Sequence, residues 1–335
     1  MKSIMKPLQT KITDIYSEFK KICDTHGLRY FAIQGTTLGA IFWEGFIPWD
    51  DDMDIAMPFD DFEKFKKLSA ELPDWLEFEE LLWLGGKIYD SRTTLIEPEY
   101  FQSPERYRGV FLDITILVGL PNDIDERNIF MQKIKHFQHQ AFIDERYSTP
   151  SNNNILKLKK ERQKLLKQYP FGTTEFVTDF PSGSSYYFKT EGFQKPIEKK
   201  FDKTTVYISS TYDFDLTSRY GKYVKEPDEA ERWNHTQESF VDLDHPYIDY
   251  QNRFKELPEW VKVLIRAKHI KEGLWYKAAA DMAEWVDNRD TKVKEMAAEL
   301  DNIKNSSEYM FGKKWFNKYA PIIKAKNKIL KGIKK

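Results

Sequence analysis

Residues 47–57 read Ile47-Pro48-Trp49-Asp50-Asp51-Asp52-Met53-Asp54-Ile55-Ala56-Met57, four aspartates within five positions and apolar residues on both sides. A solvated acidic loop has no need of such flanks. On an extended chain alternate side chains share a face, so Asp50, Asp52 and Asp54 line one side while Asp51, Met53 and Ile55 line the other. Three converging carboxylates repel one another, and burying them without a counter-charge forces their pKa values up. A divalent cation is the simplest compensation. Oxygen-only ligands suit Mg²⁺ or Mn²⁺, which keep positions open for water and for phosphate oxygens.

Other stretches supply what such a site lacks. Gly35, Thr36, Thr37 and Gly39 read as a small-residue turn that offers N–H groups and hydroxyls to a phosphate. A short helix over 38–43 would aim its N-terminus at the same place. Residues 109–118 form an apolar strand with one acid inside it, Asp113. A carboxylate among Val, Phe, Leu and Ile must be paired or metal-bound, so Asp113 joins Asp52 and Asp54 as a candidate ligand. Lys87 and Arg92, on a pair of strands joined near Gly85-Gly86, are candidate cations for a phosphate group. His136 and His139 share a helical face, but no third ligand lies near them in sequence, and they are read as surface residues.

The elements that position these residues follow from periodicity. Leu8, Ile12, Ile15, Phe19 and Ile22 predict an amphipathic helix ending at Gly27, and residues 28–33 predict a buried strand. Asp60 and Asp61 open a helix with Phe62, Phe65, Leu68 and Leu72 on one face. Residues 123–168 read as helical with a break at 148–154, and 170–210 as an aromatic, loop-rich segment that contains strands. The expected class is α+β: a mixed sheet flanked by helices, with a helical C-terminal extension. The expected division is a catalytic domain over 1–250, with 150–210 as an acceptor-side insertion, followed by the extension over 251–335.

A formal net charge of −1 argues against a whole-protein nucleic-acid footprint. Cys23 is the only cysteine, so neither an intramolecular disulfide nor a Cys-based zinc site can form within the chain. With no signal-like or membrane-spanning run, a cytoplasmic protein is expected. Residues 311–335 carry nine lysines and no acid among aromatic and aliphatic residues. That pattern suits contact with the inner face of the cell membrane.

Several of these segments together resemble the signature of the LicD family, to which the fukutin-type transferases also belong. They are Gly35-Thr36-Thr37-Leu38-Gly39-Ala40, then Gly45 through Ile55, then Gly109-Val110-Phe111-Leu112-Asp113-Ile114, then Gly119-Leu120-Pro121, then Tyr212-Asp213 with Arg219 to Tyr223 and Pro227 to His235. The resemblance covers about residues 10–245. It implies a nucleotidyltransferase-type fold and transfer of a phospho-substituent, typically phosphocholine from CDP-choline. The implied acceptor is a sugar hydroxyl of a cell-surface glycan or of its lipid-linked precursor. Other CDP-linked alcohols (ribitol, glycerol, ethanolamine), and true nucleotidyl transfer releasing pyrophosphate, remain alternatives. In this reading Asp52, Asp54 and Asp113 hold the metal, Asp50 or Asp113 takes the hydroxyl proton, and Arg219 and His235 join the phosphate-binding cations. Two departures stand out: Phe42-Trp43 where the family commonly has Arg-His, and Gln34-Gly35 where it commonly has Gly-Gly. Trp43 and Trp49 offer aromatic faces to a quaternary ammonium group.

Overall fold

The computed structural model of the chain describes residues 4–97, 100, 103–147, 153–180, 186–226, 228, 232 and 239–256. Its elements run α1 (Met5–His26), β1 (Phe31–Ala32), α2 (Gln34–Phe42), β2 (Asp54–Pro58), α3 (Phe59–Leu68), β3 (Leu76–Leu81), β4 (Gly85–Asp90), β5 (Thr94–Ile96) and β6 (Phe111–Leu120). They continue with α4 (Ile124–Tyr147), α5 (Asn153–Gln168), β7 (Phe176–Asp179), β8 (Phe188–Lys189), α6 (Thr190–Gln194), β9 (Ile197–Phe201), β10 (Thr204–Ile208), α7 (Tyr212–Tyr220), β11 (Phe240–Asp242) and α8 (Tyr247–Glu256). The class is α+β, as the periodicity predicts. One compact unit spans Met1–Lys255; the expected extension and its basic tail lie outside the described residues from 257 onward.

β6 is the axis of the main sheet. Parallel β2 pairs with it from Asp54↔Asp113 to Pro58↔Leu117. Antiparallel β4 pairs with its first half and antiparallel β7 with its second, both on the edge opposite β2. β3 extends the sheet beyond β4, β1 lies beyond β2, and β8 lies beyond β7. The segment 170–210 therefore contributes strands to the main sheet itself, and adds the β9–β10 hairpin.

The sheet's two faces do different work. Met53, Ile55, Leu112 and Ile114 are buried in one core with Phe19 of α1 and with Phe62 and Phe65 of α3. Each such side chain contributes about 1.5–3 kcal/mol when fully buried. Phe31, Ala56, Leu117, Val177, Phe188 and Phe193 form a smaller cluster on the other face. Asp54 and Asp113 share the parity of that second face and pair with each other where β2 begins, two residues into parallel β6.

Three expectations are corrected. The predicted strand over 28–33 shrinks to Phe31–Ala32, because Gln34 adopts φ +52° and turns the chain directly into α2. The helix expected over 38–43 starts at Gln34 and absorbs the predicted glycine turn. The Thr37 hydroxyl donates to the Ala32 carbonyl and the Thr36 hydroxyl accepts from Asp54 N–H, so both threonines fasten helix to strand. Finally, the aspartate run is not one strand: β2 begins only at Asp54, and Asp50 N–H closes a turn on Ile47 O at 2.9 Å. That turn is held from behind by Gln9 of α1, buried, whose amide donates to Ile47 O and Asp50 O.

Candidate active site

Asp113 stands between two partners across the sheet, Asp54 on β2 and Lys87 on β4. Carboxylate oxygens of Asp52, Asp54 and Asp113 all lie within 4.8 Å of one another. Asp50, Asp51 and Asp52 form a second group at the same spacing. The turn thus brings Asp51 toward its neighbours, where simple alternation had sent it to the opposite face. Each of Asp52, Asp54 and Asp113 keeps part of its surface open to solvent, as ligands that share an ion with a substrate must.

Burial and mutual repulsion dominate the electrostatics of these acids. Burial first, then the negative charges of Asp52, Asp113 and Asp179, push the Asp54 carboxyl well above the usual carboxylate range, and Arg219 acts in the opposite sense. Burial and the adjacent Asp52 raise Asp50 in the same way. Asp113 is pushed up to about 6 by burial, against the pull of Lys87. Its Oδ1 is buried without a hydrogen bond of good geometry and has Lys87 Nζ at 3.3 Å. Oxygen-only donors, like charges held together, and a buried oxygen short of a donor fit Mg²⁺ or Mn²⁺.

The remaining residues singled out in the sequence divide by what they touch. Lys87 is buried: its ammonium lies 3.3 Å from Asp113, 3.8 Å from Glu97 and 3.4 Å from the centre of the Phe111 ring. It faces the acids rather than an open phosphate site. Gly35 is where α2 makes room for Asp50, since a Cβ there would come 2.9 Å from Asp50 Oδ2. Gly39 makes room for backbone, its missing Cβ falling 2.3 Å from Gly45 O. Arg219 joins the site, close enough to Asp54 and Asp179 to act on both and lying 4.6 Å over the Tyr186 ring.

Arg92 is a correction. Its guanidinium is tied to Asp90 by bonds of 2.8 Å and lies 3.8 Å over the Trp75 ring. Asp90 shares the parity of Ile88, on the α1 side of β4, whereas Lys87 points to the acids. His235 lies outside the described residues. Trp43 and Trp49 meet edge to face at 5.8 Å, and the Arg232 guanidinium lies 4.1 Å over the Trp49 ring. That face holds a cation of the chain's own. His136 and His139 join no group of metal-ligating side chains among the described residues.

Sequence reasoning missed Asp179. It is fully buried at the end of β7, opposite Leu117, and Gln34 donates to its Oδ2 at 3.0 Å. The signal was present: an acid in the apolar run Phe176-Val177-Thr178-Asp179-Phe180 asks the same question as Asp113. The bond also accounts for Gln34, which tolerates a left-handed backbone and spends its side chain on Asp179.

Comparison with known proteins meets this geometry at the same residues. Residues 27–151, which include the acidic trio and Lys87, match the family model described as LicD/FKTN/FKRP, nucleotidyltransferase domain. Over that segment the chain is similar to LicD-family domains. The lipopolysaccharide cholinephosphotransferase LicD of Haemophilus influenzae is 27% identical to it over 267 residues, covering 72% of this chain and 99% of that relative. Asp179 and Arg219, which stand beside Asp54, lie C-terminal to the segment that the family model matches.

Proposed function

We propose that the protein transfers a phospho-substituent, phosphocholine from CDP-choline, onto a sugar hydroxyl of a cell-surface glycan or its lipid-linked precursor. The observation that carries this reading is the convergence of Asp52, Asp54 and Asp113 within 4.8 Å in a domain whose curated relative is a cholinephosphotransferase. Asp52, Asp54 and Asp113 would hold Mg²⁺ or Mn²⁺, which supplies charge neutralisation for a diphosphate and its leaving nucleotide. Arg219, beside Asp54 and Asp179, pairs with donor phosphate oxygens. Lys87 orients Asp113 across the strand pair.

The bond that forms joins the acceptor oxygen to the phosphorus bearing choline, and the bond that breaks releases CMP. The acceptor's proton goes to Asp50, whose carboxylate is grouped with Asp51 and Asp52 beside the acidic trio; Asp113 is the alternative base. Trp43 and Trp49 form the ammonium platform, with Arg232 giving up the Trp49 face to the donor. The protein works at the inner face of the membrane, assisted by the basic segment 311–335.

The test is calorimetric titration of CDP-choline, CDP-ribitol, CDP-glycerol and CDP-ethanolamine with Mg²⁺, on wild type and on Asp52→Ala. CDP-choline binds the wild type and not the variant if the reading holds. Tighter binding of another donor reassigns the alcohol. Pyrophosphate release from a nucleoside triphosphate would make the protein a nucleotidyltransferase instead.

A further inference from the structure

The hairpin of α4 and α5 carries a second charged feature, separate from the acidic site. A groove of about 980 Å³ runs between the two helices. Lys133 and His136 line it from α4, and Lys157, Lys160 and Lys164 from α5, against a single acid, Glu161. The lining positions recur at three-to-four spacing, so each helix presents one continuous stripe to the groove. Among the described residues none of these four lysines forms an ion pair. In a chain of net charge −1, this is a local concentration of positive charge. Of the acids on the hairpin, Glu145 accepts from the Leu82 N–H and Asp144 from Asn154, while Asp125 and Glu126 lie in the first turn of α4, before the lysines begin.

The rim of the hairpin identifies what the charge is for. Ile129 is 57% exposed and Leu156 63%, one on each helix. Lysines beside protruding aliphatic side chains describe a surface that meets anionic headgroups and inserts shallowly between them. Single-stranded nucleic acid would call for aromatic stacking platforms, and the exposed large apolar residues of this hairpin are aliphatic. A soluble anionic polymer would leave Ile129 and Leu156 without a role. No helix among the described residues is long and apolar enough to cross a membrane.

We propose that the α4–α5 groove is a docking surface for an anionic lipid bilayer, with Lys133, Lys157, Lys160 and Lys164 on headgroup phosphates and Ile129 and Leu156 in the interface. This surface is distinct from the basic segment 311–335, and it does not depend on which donor the acidic site takes. The test is flotation of the full-length protein with phosphatidylcholine vesicles, with and without phosphatidylglycerol, at increasing salt. Wild type floats only with phosphatidylglycerol and less so at high salt. The variant Lys157→Glu/Lys160→Glu/Lys164→Glu, altered only at exposed positions, keeps its melting temperature and loses roughly a hundredfold in vesicle affinity. Ile129→Ser/Leu156→Ser weakens binding without removing its salt dependence.

A companion variant, Lys331→Glu/Lys334→Glu/Lys335→Glu, reads the tail's share. Unchanged flotation of the groove variant overturns the proposal, whether or not the tail variant is impaired. Equal binding to vesicles lacking phosphatidylglycerol also overturns it. So does capture by dextran sulfate as tight as by vesicles, together with no effect of the two serine substitutions. Because binding is read without turnover, failure here leaves the transferase reading standing, and failure of donor binding leaves this one standing.

Discussion

The Asp50 and Asp54 carboxylates at the centre of this protein are disfavoured by burial and by their acidic neighbours, and function and stability pull apart there. Asp54 lies among Asp52, Asp113 and Asp179 with Arg219 as counter-charge. Asp54→Asn removes one of the repelling charges at nearly constant shape. Metal-free protein carrying it should melt higher, by on the order of 1 kcal/mol of stability, while transfer falls at least ~100-fold. Calorimetry and a CMP-release assay check the two halves. Asp215 provides a cleaner titration, because it belongs to α7 and stands outside the acidic trio. Burial pushes it up to about 7 against the hydroxyls of Ser209 and Thr211. The folded protein keeps that proton to about pH 7, whereas an unfolded aspartate loses it near pH 4. The folded state therefore binds more protons in between, and its stability falls as pH rises from about 4 through about 7. Asp215→Asn should flatten that part of the profile of melting temperature against pH.

At the scale of elements, the site depends on how closely α2 approaches the turn that carries Asp50. The two glycines of α2 make opposite predictions. A Cβ at Gly39 would fall 2.3 Å from Gly45 O and 3.1 Å from Ile47 N, both backbone atoms that cannot step aside. Gly39→Ala should cost about 3 kcal/mol, seen as a lower denaturation midpoint. At Gly35 the nearest atom is a side-chain oxygen, Asp50 Oδ2, at 2.9 Å. Gly35→Ala should change stability by less than about 1.5 kcal/mol and instead displace Asp50, lowering turnover while leaving Mg²⁺ binding by the trio intact. A metal-titrated melting curve measured beside the transfer rate separates the two cases. Helix α1 supports the same turn through Gln9, a contact made 38 and 41 residues away in sequence.

At the scale of the whole molecule, the sheet brings together what the chain keeps apart. Asp54, Lys87, Asp113 and Asp179 come from β2, β4, β6 and β7, so a ligand that bridges them must couple to global folding. At a hundred times its dissociation constant, Mg²⁺ should stabilise the wild type by about 2.7 kcal/mol. Asp52→Ala/Asp54→Ala should show no such gain, and chelation should remove it from the wild type. The amino-acid sequence by itself determined which acids stand out. Acids set among apolar residues have no reason to be there unless something binds them, and that logic found Asp50, Asp52, Asp54 and Asp113 and would have found Asp179. Periodicity also located the helices around the core, because burial of one face repeats with the geometry of the backbone. What the sequence could not contain is pairing across the sheet. Only the tertiary structure decided that Lys87 serves Asp113 while Arg92 is held by Asp90, because strand parity is set by register with β6. It also decided that Thr36 and Thr37 fasten α2 to the sheet. A hydroxyl near a glycine reads the same in sequence whether it meets a phosphate or a backbone amide, and the partner that settles it arrives from a distant part of the chain.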